Sequence, residues 1–276
     1  MPVRLYGLMV PPLEILRHKG GIASPYQLLF VHGSCSQAAM WEPMLGWFAQ
    51  RGIPSAAVSL RGHGGSGGCL EGTTISDYVN DVLSACRTLE DRPIVLVGHS
   101  MGGFIVQHLL GCMERPVLHS VILMAPGPSR TMRTEGLRMA LRRPLNFVRA
   151  TLSRDIRRIY EGDGLREFLL HPAIPAQTEA AVRSGIGPES WTALQEMNGF
   201  APDWKSNRRS TPMLVMSGSL DRMVRPEVSR STARDWGADY GEVVGLSHML
   251  PVEPGWPDVA KLMLEWLCAI RRAQVS

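Results

Sequence analysis

Short apolar runs alternate with amphipathic stretches along most of the chain. Residues 13–17, Leu-Glu-Ile-Leu-Arg, alternate weakly and predict an early edge strand that ends in the Gly20-Gly21 turn. Residues 26–31 form an apolar run that predicts a buried strand. Residues 38–50 carry apolar positions at helical spacing and stop at Gly52. Residues 56–60 predict the next strand, and Arg61-Gly-His-Gly-Gly-Ser-Gly-Gly68 a glycine-rich loop. Between residues 75 and 89, Tyr78, Val82, Ala85 and Leu89 fall on one helix face. Residues 94–97 and 117–125 read as two more strands, with a helix from Met101 between them.

The pattern changes after Pro126. From about residue 127 to 207 the strand signals stop, and Pro144, Pro172, Pro175 and Pro188 divide the stretch into short pieces. Residues 153–160 have helical period, with Leu152, Ile156, Ile159 and Tyr160 on one face. Trp191, Leu194 and Met197 mark another helix. Strands return at 213–216 and 240–244, with helices at 226–236 and 259–270. This order predicts an α/β fold: a mostly parallel sheet flanked by helices, built from residues 1–126 and 208–276, with a helical insertion at 127–207. In such sheets ligands bind beyond the carboxyl ends of the strands.

Composition narrows the class. The chain has 276 residues, 45% hydrophobic and 20% charged, enough for one large core. A net charge of +4 is too small to argue for nucleic acid. The five cysteines show no paired or metal-ligand spacing, which predicts thiols in a reducing compartment. The first residues are too short and too broken by proline for a signal peptide, and no run approaches a membrane span. The expectation is a cytoplasmic protein without integral membrane association.

The stretch around which the chain is organised is Gly98-His-Ser-Met-Gly102, a Gly-x-Ser-x-Gly match between a predicted strand and a predicted helix. In that context the serine of a nucleophile elbow sits at a strained corner with its hydroxyl exposed. The following helix N-terminus favours an anion at the serine. Ser217-Gly-Ser-Leu-Asp221 and Gly245-Leu-Ser-His248 each follow a later predicted strand. Ser100, Asp221 and His248 therefore stand in an order known for serine hydrolysis on α/β sheets. Ser100 is the candidate nucleophile, His248 the general base and Asp221 the residue that orients it. Asp203 and Asp239 are the weaker alternatives for the acid. The oxyanion hole is expected from the amides of Met101 and Ser34, with Cys35 as the fallback for Ser34. His63 is expected to pack beside the site, and His99 behind the elbow.

Phe30-Val-His-Gly33, Leu60-Arg-Gly-His-Gly64, Gly98-His-Ser-Met-Gly-Gly103, Gly218-Ser-Leu-Asp221 and Ser247-His248 together resemble the α/β-hydrolase superfamily. Within it the chain resembles the serine-nucleophile lysophospholipase and monoacylglycerol-lipase-like esterases. The resemblance implies an eight-stranded, mostly parallel sheet with a cap or lid inserted after strand 6. It implies hydrolysis of a carboxylic ester through an acyl-enzyme, with no cofactor and no metal. Perhydrolysis, amide cleavage and carbon–carbon bond hydrolysis on the same residues are the rival reactions, and a ligand sensor with little turnover the rival class. The insertion holds ten arginines between Arg130 and Arg166, among many Met, Leu and Phe residues. That composition suggests either a solvated basic face or an apolar acyl pocket whose arginines favour anionic lipid.

Overall fold

The computed structural model describes residues 10–21, 24–89, 92–112, 116–202 and 211–275. Seven strands form one sheet: β1 (Ile15–His18), β2 (Gln27–Val31), β3 (Ser55–Val58), β4 (Ile94–His99), β5 (Leu118–Met124), β6 (Met213–Gly218) and β7 (Asp239–Val243). Their spatial order is β1-β3-β2-β4-β5-β6-β7. Only β1 runs antiparallel, along β3; the other pairs are parallel. Every residue of β2, β3, β4 and β6 is buried. Strands covered on both faces lose polar alternation, which is why they read as continuous apolar runs.

Alternate residues of these strands feed two cores. Leu29, Val31, Leu96, Leu123 and Val215 pack with Tyr78, Val82, Phe104 and Trp236. Those side chains come from α2 (Ile75–Arg87), α3 (Met101–Leu109) and α9 (Pro226–Trp236). Leu28, Phe30, Val97, Met124 and Met216 face the other way, against Leu45, Phe48, Val259 and Met263. These belong to α1 (Glu42–Gln50) and α10 (Trp256–Val275). Such burial contributes roughly 25 cal/mol per Å² of apolar surface.

Among the described residues five helices lie between β5 and β6: α4 (Arg133–Arg142), α5 (Pro144–Ser153), α6 (Gly164–Phe168), α7 (Ala176–Gly185) and α8 (Trp191–Gly199). A short 3-10 turn, Ile156–Tyr160, joins α5 to α6. They have a small core of their own, including Ala150, Ile159, Leu165, Phe168 and Leu170, closed by Met223 and Val224 from the loop after β6.

Two element expectations change, and the strand count stands at seven among the described residues. The eighth strand is not among the described residues. Among the described residues the helical segment follows the fifth strand, where the resemblance implies the sixth. The continuous helix expected at 153–160 is also absent: Arg154 adopts φ 53 and ends α5, and Asp155 then accepts the Arg157 N–H at 3.1 Å to start a separate turn. Likewise the stretch 38–50 divides into a 3-10 turn, Ala38–Trp41, and α1. The boundary expected between residues 207 and 208 lies outside the described residues.

The glycine-rich loop after β3 is anchored by a buried ion pair. Arg61 Nη2 and Nε donate to Asp81 Oδ1 at 2.7 and 3.0 Å, and the Arg61 amide donates to Asp81 Oδ2 at 2.9 Å. Asp77, which closes a capping box with Thr74 at the start of α2, takes Arg61 Nη1 at 2.9 Å. The Asp81 side chain is fully buried. Removing Asp81 leaves the Arg61 amide, Nε and Nη2 without their acceptor while Asp77 still faces Nη1, at a cost of about 1–3 kcal/mol. Asp81→Ala should lower the unfolding free energy by about that amount in urea titration. A loss below about 1 kcal/mol would show that the pair does not hold this loop.

Candidate active site

Ser100 is the corner between β4 and α3. Its backbone has φ 51 and ψ −119, a region that non-glycine residues avoid. The corner is held from outside. The Ser100 N–H donates to Met124 O at 3.0 Å, and its carbonyl accepts from Gly127 and Phe104 at 2.9 and 3.1 Å. The flanking glycines are required by contact. A Cβ on Gly98 would come within 2.6 Å of the Gly102 carbonyl, and one on Gly102 within 2.5 Å of the His32 carbonyl. The motif thus reflects backbone approaching backbone.

The structure brings the three predicted side chains together. Ser100 Oγ lies 2.9 Å from His248 Nε2, and His248 Nδ1 lies 2.8 Å from Asp221 Oδ2. A carboxylate can only accept, so Nδ1 carries the proton and Nε2 faces the serine hydroxyl as an acceptor. Asp221 is fixed in turn: Oδ1 accepts the N–H groups of Met223 and Val224 at 2.8 and 2.9 Å. The loops after β6 and β7 touch directly, since a Cβ on Gly218 would lie 2.4 Å from the Leu246 and Ser247 carbonyls. Asp203 lies outside the described residues. Asp239 starts β7, at the far end from His248, and accepts the Trp266 indole N–H at 2.7 Å.

Two buried histidines frame the serine. His99 Nε2 donates to the His248 carbonyl at 2.9 Å, so the histidine behind the elbow also holds the candidate base. His32 Nδ1 donates to Gly33 O at 2.8 Å while its Nε2 accepts the Leu60 N–H at 3.0 Å. Burial first, then a neighbouring histidine, pushes each imidazole down to about 3, which keeps both neutral.

Ser34 and Met101 both line the cavity in front of Ser100. Cys35, the fallback for Ser34, has its amide engaged: it donates to Glu189 Oε2 at 3.0 Å. Glu189 carries no signal that singles it out in the sequence. It stands just before Ser190, the N-cap of α8, where an acidic residue reads as ordinary helix-end chemistry. Glu253 is equally silent in the sequence. It accepts the Ser247 amide at 3.1 Å and the Ser247 hydroxyl, bracing the loop that carries His248.

The cavity is about 870 Å³ and mostly apolar, with Met132, Met139, Phe147, Leu169, Met197 and Met223 on its walls. Most of these come from α4, α5 and α8 or the loops joining them, so the helical segment between β5 and β6 supplies much of the enclosure.

The sequence profile described as the Alpha/beta hydrolase family matches residues 28–261. The chain belongs to the alpha/beta hydrolase family. Alpha/beta hydrolases of several activities resemble it. A protein of Mycobacterium phage D29 named for a non-heme haloperoxidase is 24% identical over 82% of this chain and 83% of its own length. The monoglyceride lipase of Rattus norvegicus is 27% identical over 72% of this chain and 67% of the lipase. A solved esterase from Thermogutta terrifontis superposes with a TM-score of 0.71 at 21% identity, covering 94% of this chain and 93% of its own. The last likeness is one of fold. Among the described residues, no helix of this alpha/beta hydrolase is long and apolar enough to cross a membrane.

His63 stands beside the site, as expected. Its Nε2 is 3.3 Å from Glu189 Oε2, close enough for an ion pair but off the line of a hydrogen bond. Burial alone would depress His63, and Glu189 outweighs it, so its pKa lies above the ordinary 6.5. Burial alone would raise Glu189, and its contacts with His63, Tyr78 and the Cys35 amide hold it below the ordinary 4.5. A raised histidine contributes stability below its unfolded pKa and loses it as pH climbs through the folded value. A depressed carboxylate contributes above its unfolded pKa and loses it as pH falls through the folded value. The pair therefore stabilises fully between 4.5 and 6.5 and fades on the alkaline side. In scanning calorimetry from pH 6 to 9, the wild-type Tm should fall more steeply than that of His63→Asn. Parallel slopes would mean that His63 does not titrate in this window.

Proposed function

We propose that the protein is a serine hydrolase that cleaves carboxylic esters with an apolar acyl group. The observation that carries the reading is the run of contacts from Asp221 through His248 to Ser100 at 2.8 and 2.9 Å, opening into the large apolar cavity. Ser100 Oγ attacks the ester carbonyl as His248 Nε2 takes its proton. Asp221 keeps the imidazole in the required tautomer and stabilises its charged form. The carbonyl oxygen becomes an oxyanion received by the Met101 and Ser34 amides, with the α3 N-terminus adding a favourable partial charge. His248 returns the proton to the leaving alcohol as the acyl-enzyme forms. Water, activated by the same base, then releases the acid. These steps use this chain's own residues, and we assign no cofactor or metal. The helical segment acts as the cap over the acyl group, and the thiol pattern fits a cytoplasmic setting.

The test is a p-nitrophenyl ester series from short to long acyl chains. Turnover should rise with acyl length, vanish to background in Ser100→Ala, and fall about 10⁴-fold in Asp221→Asn with the fold intact. Equal or faster turnover of acetate would overturn the apolar acyl reading. Turnover surviving in Ser100→Ala would overturn the serine mechanism. Relatives named for haloperoxidation and for hydrolysis of an acetamidomethylene-succinate favour adding peracid formation and amide cleavage to the panel.

We place the protein's partner surface on the α4–α5 hairpin. Most arginines of the cap are consumed internally: Arg138 with Glu135, Arg143 with Glu167 and Arg166 with Glu179 at 2.5–2.6 Å. Arg142, Arg149 and Arg154 are exposed and have no ion-pair partner among the described residues. Beside them Leu137, Leu141, Leu145, Val148 and Leu152 are 53% to 81% exposed, and Leu137 also lines the cavity. Cationic groups around apolar side chains suit an anionic lipid surface, with the cavity mouth beside it. Phosphatidylglycerol vesicles should sediment the wild type and not Leu141→Glu/Leu145→Glu/Leu152→Glu, whose turnover of a soluble short ester should stay unchanged. Arg142→Gln/Arg149→Gln should weaken vesicle binding by roughly tenfold or more, at about 1 kcal/mol for each arginine. Dimerisation through the leucines without vesicle binding would overturn the assignment.

A further inference from the structure

The loop that carries Ser34 does not hold itself. Cys35 has φ 61, which costs a side-chain-bearing residue energy unless its neighbours fix it. Both of its backbone groups are fixed by one short segment just before α8. Its carbonyl accepts the Gly187 N–H at 2.8 Å, and its N–H donates to Glu189 Oε2 at 3.0 Å. The other carboxylate oxygen, Oε1, accepts the Tyr78 hydroxyl at 2.6 Å and the Ser190 N–H at 2.7 Å. The Glu189 side chain is fully buried, so water does not compete for it. His63 Nε2 supplies the facing charge at 3.3 Å.

We propose that Glu189 is a positioning residue for the oxyanion hole: by gripping the Cys35 peptide it sets where the neighbouring Ser34 amide points. The proposal rests on the reading of Ser34 as an oxyanion donor. Its chemistry demands a carboxylate. Each oxygen faces a backbone N–H, Cys35 on one side and Ser190 on the other. A glutamine has one acceptor oxygen and one NH₂ group, so in either flip it sets a donor against a backbone donor. An aspartate is one methylene too short to span the same partners. A residue of the helical segment would thus adjust the catalytic geometry of the sheet without touching the substrate.

The experiment compares wild type, Glu189→Gln and Tyr78→Phe on a soluble short ester. Active sites are counted with a fluorophosphonate, and inhibition is measured with a trifluoromethyl ketone, whose hemiketal oxygen occupies the oxyanion position. In Glu189→Gln, kcat per labelled site should fall about tenfold or more, short of the 10²–10³ of a fully deleted donor. KM should stay within about twofold and the inhibitor constant should rise in step with the fall in kcat. Tyr78→Phe removes one of the donors that hold Glu189 and should show the same split, a few-fold in size. It keeps the test alive if Glu189→Gln does not fold. Unchanged kcat per labelled site, with only fewer sites or a lower Tm, would make Glu189 a structural anchor and overturn the proposal. A wild type that neither reacts with the fluorophosphonate nor turns over esters would instead remove the serine hydrolase reading. In that case hydrogen exchange at the Cys35 amide decides: equal protection in wild type and Glu189→Gln would overturn the grip itself.

Discussion

A side chain that is to be both rigid and exposed has few places to stand on a buried parallel sheet. The corner at Ser100 is one, and most of the molecule is arranged to keep it. The residue has a positive φ, with its N–H tied to β5 and its carbonyl to the turn at Gly127. Such a conformation costs about 1–3 kcal/mol and persists only when surrounding contacts over-determine it. Here the surroundings are mostly backbone: Gly98 lies against Gly102, Gly102 against Val31 and His32, and Gly103 against the Pro126 ring and backbone. The motif is legible in sequence because it is a packing requirement with almost no alternatives, and the hydroxyl it presents is the consequence.

From that corner the rest of the candidate site is set by topology. Parallel strands end on the same edge, so loops after β2, β4, β6 and β7 meet in front of Ser100. Locating each strand and the loop at its carboxyl end is enough to name Asp221 and His248. The same rule removes Asp239: it begins a strand, so it lies at the wrong end. The strand count was less legible. Four-residue edge strands such as β1 carry too little pattern to fix how many precede β2, and among the described residues the sheet has seven strands where the resemblance implies eight.

The helical segment shows where sequence reading stops. Its helices are short, proline-interrupted and packed on a small core, so the 3.6-residue period seldom runs long enough to register. Read as composition, its arginines look like one basic face. In three dimensions most are closed into local pairs with acids two to twenty-four residues away, and only the pairing separates the remaining exposed cations from the rest. Glu189 escapes for a different reason. A buried carboxylate announces itself through partners that are 111 and 154 residues distant in the chain, Tyr78 and Cys35, and no local signal encodes such a meeting.

Those distant partners bear on how the site can vary. Besides the cavity wall and the Gly127 N–H on the Ser100 carbonyl, the segment between β5 and β6 holds the candidate machinery through Leu169, Gly187 and Glu189. Leu169 O accepts the Ser247 hydroxyl at 2.8 Å and the Met249 N–H at 3.3 Å, next to His248, while Gly187 and Glu189 hold Cys35, next to Ser34. The walls include seven methionines, whose unbranched side chains repack at little cost. The same segment therefore combines two kinds of contact with opposite tolerance. Apolar wall residues can exchange to suit a different apolar ligand, because dispersion contacts re-form in many arrangements. The polar contacts cannot, because a buried acceptor left without its donor costs the full desolvation penalty. Substrate preference in this fold can then drift through the methionines while the geometry at Ser34, Ser100 and His248 stays fixed through Leu169, Gly187 and Glu189.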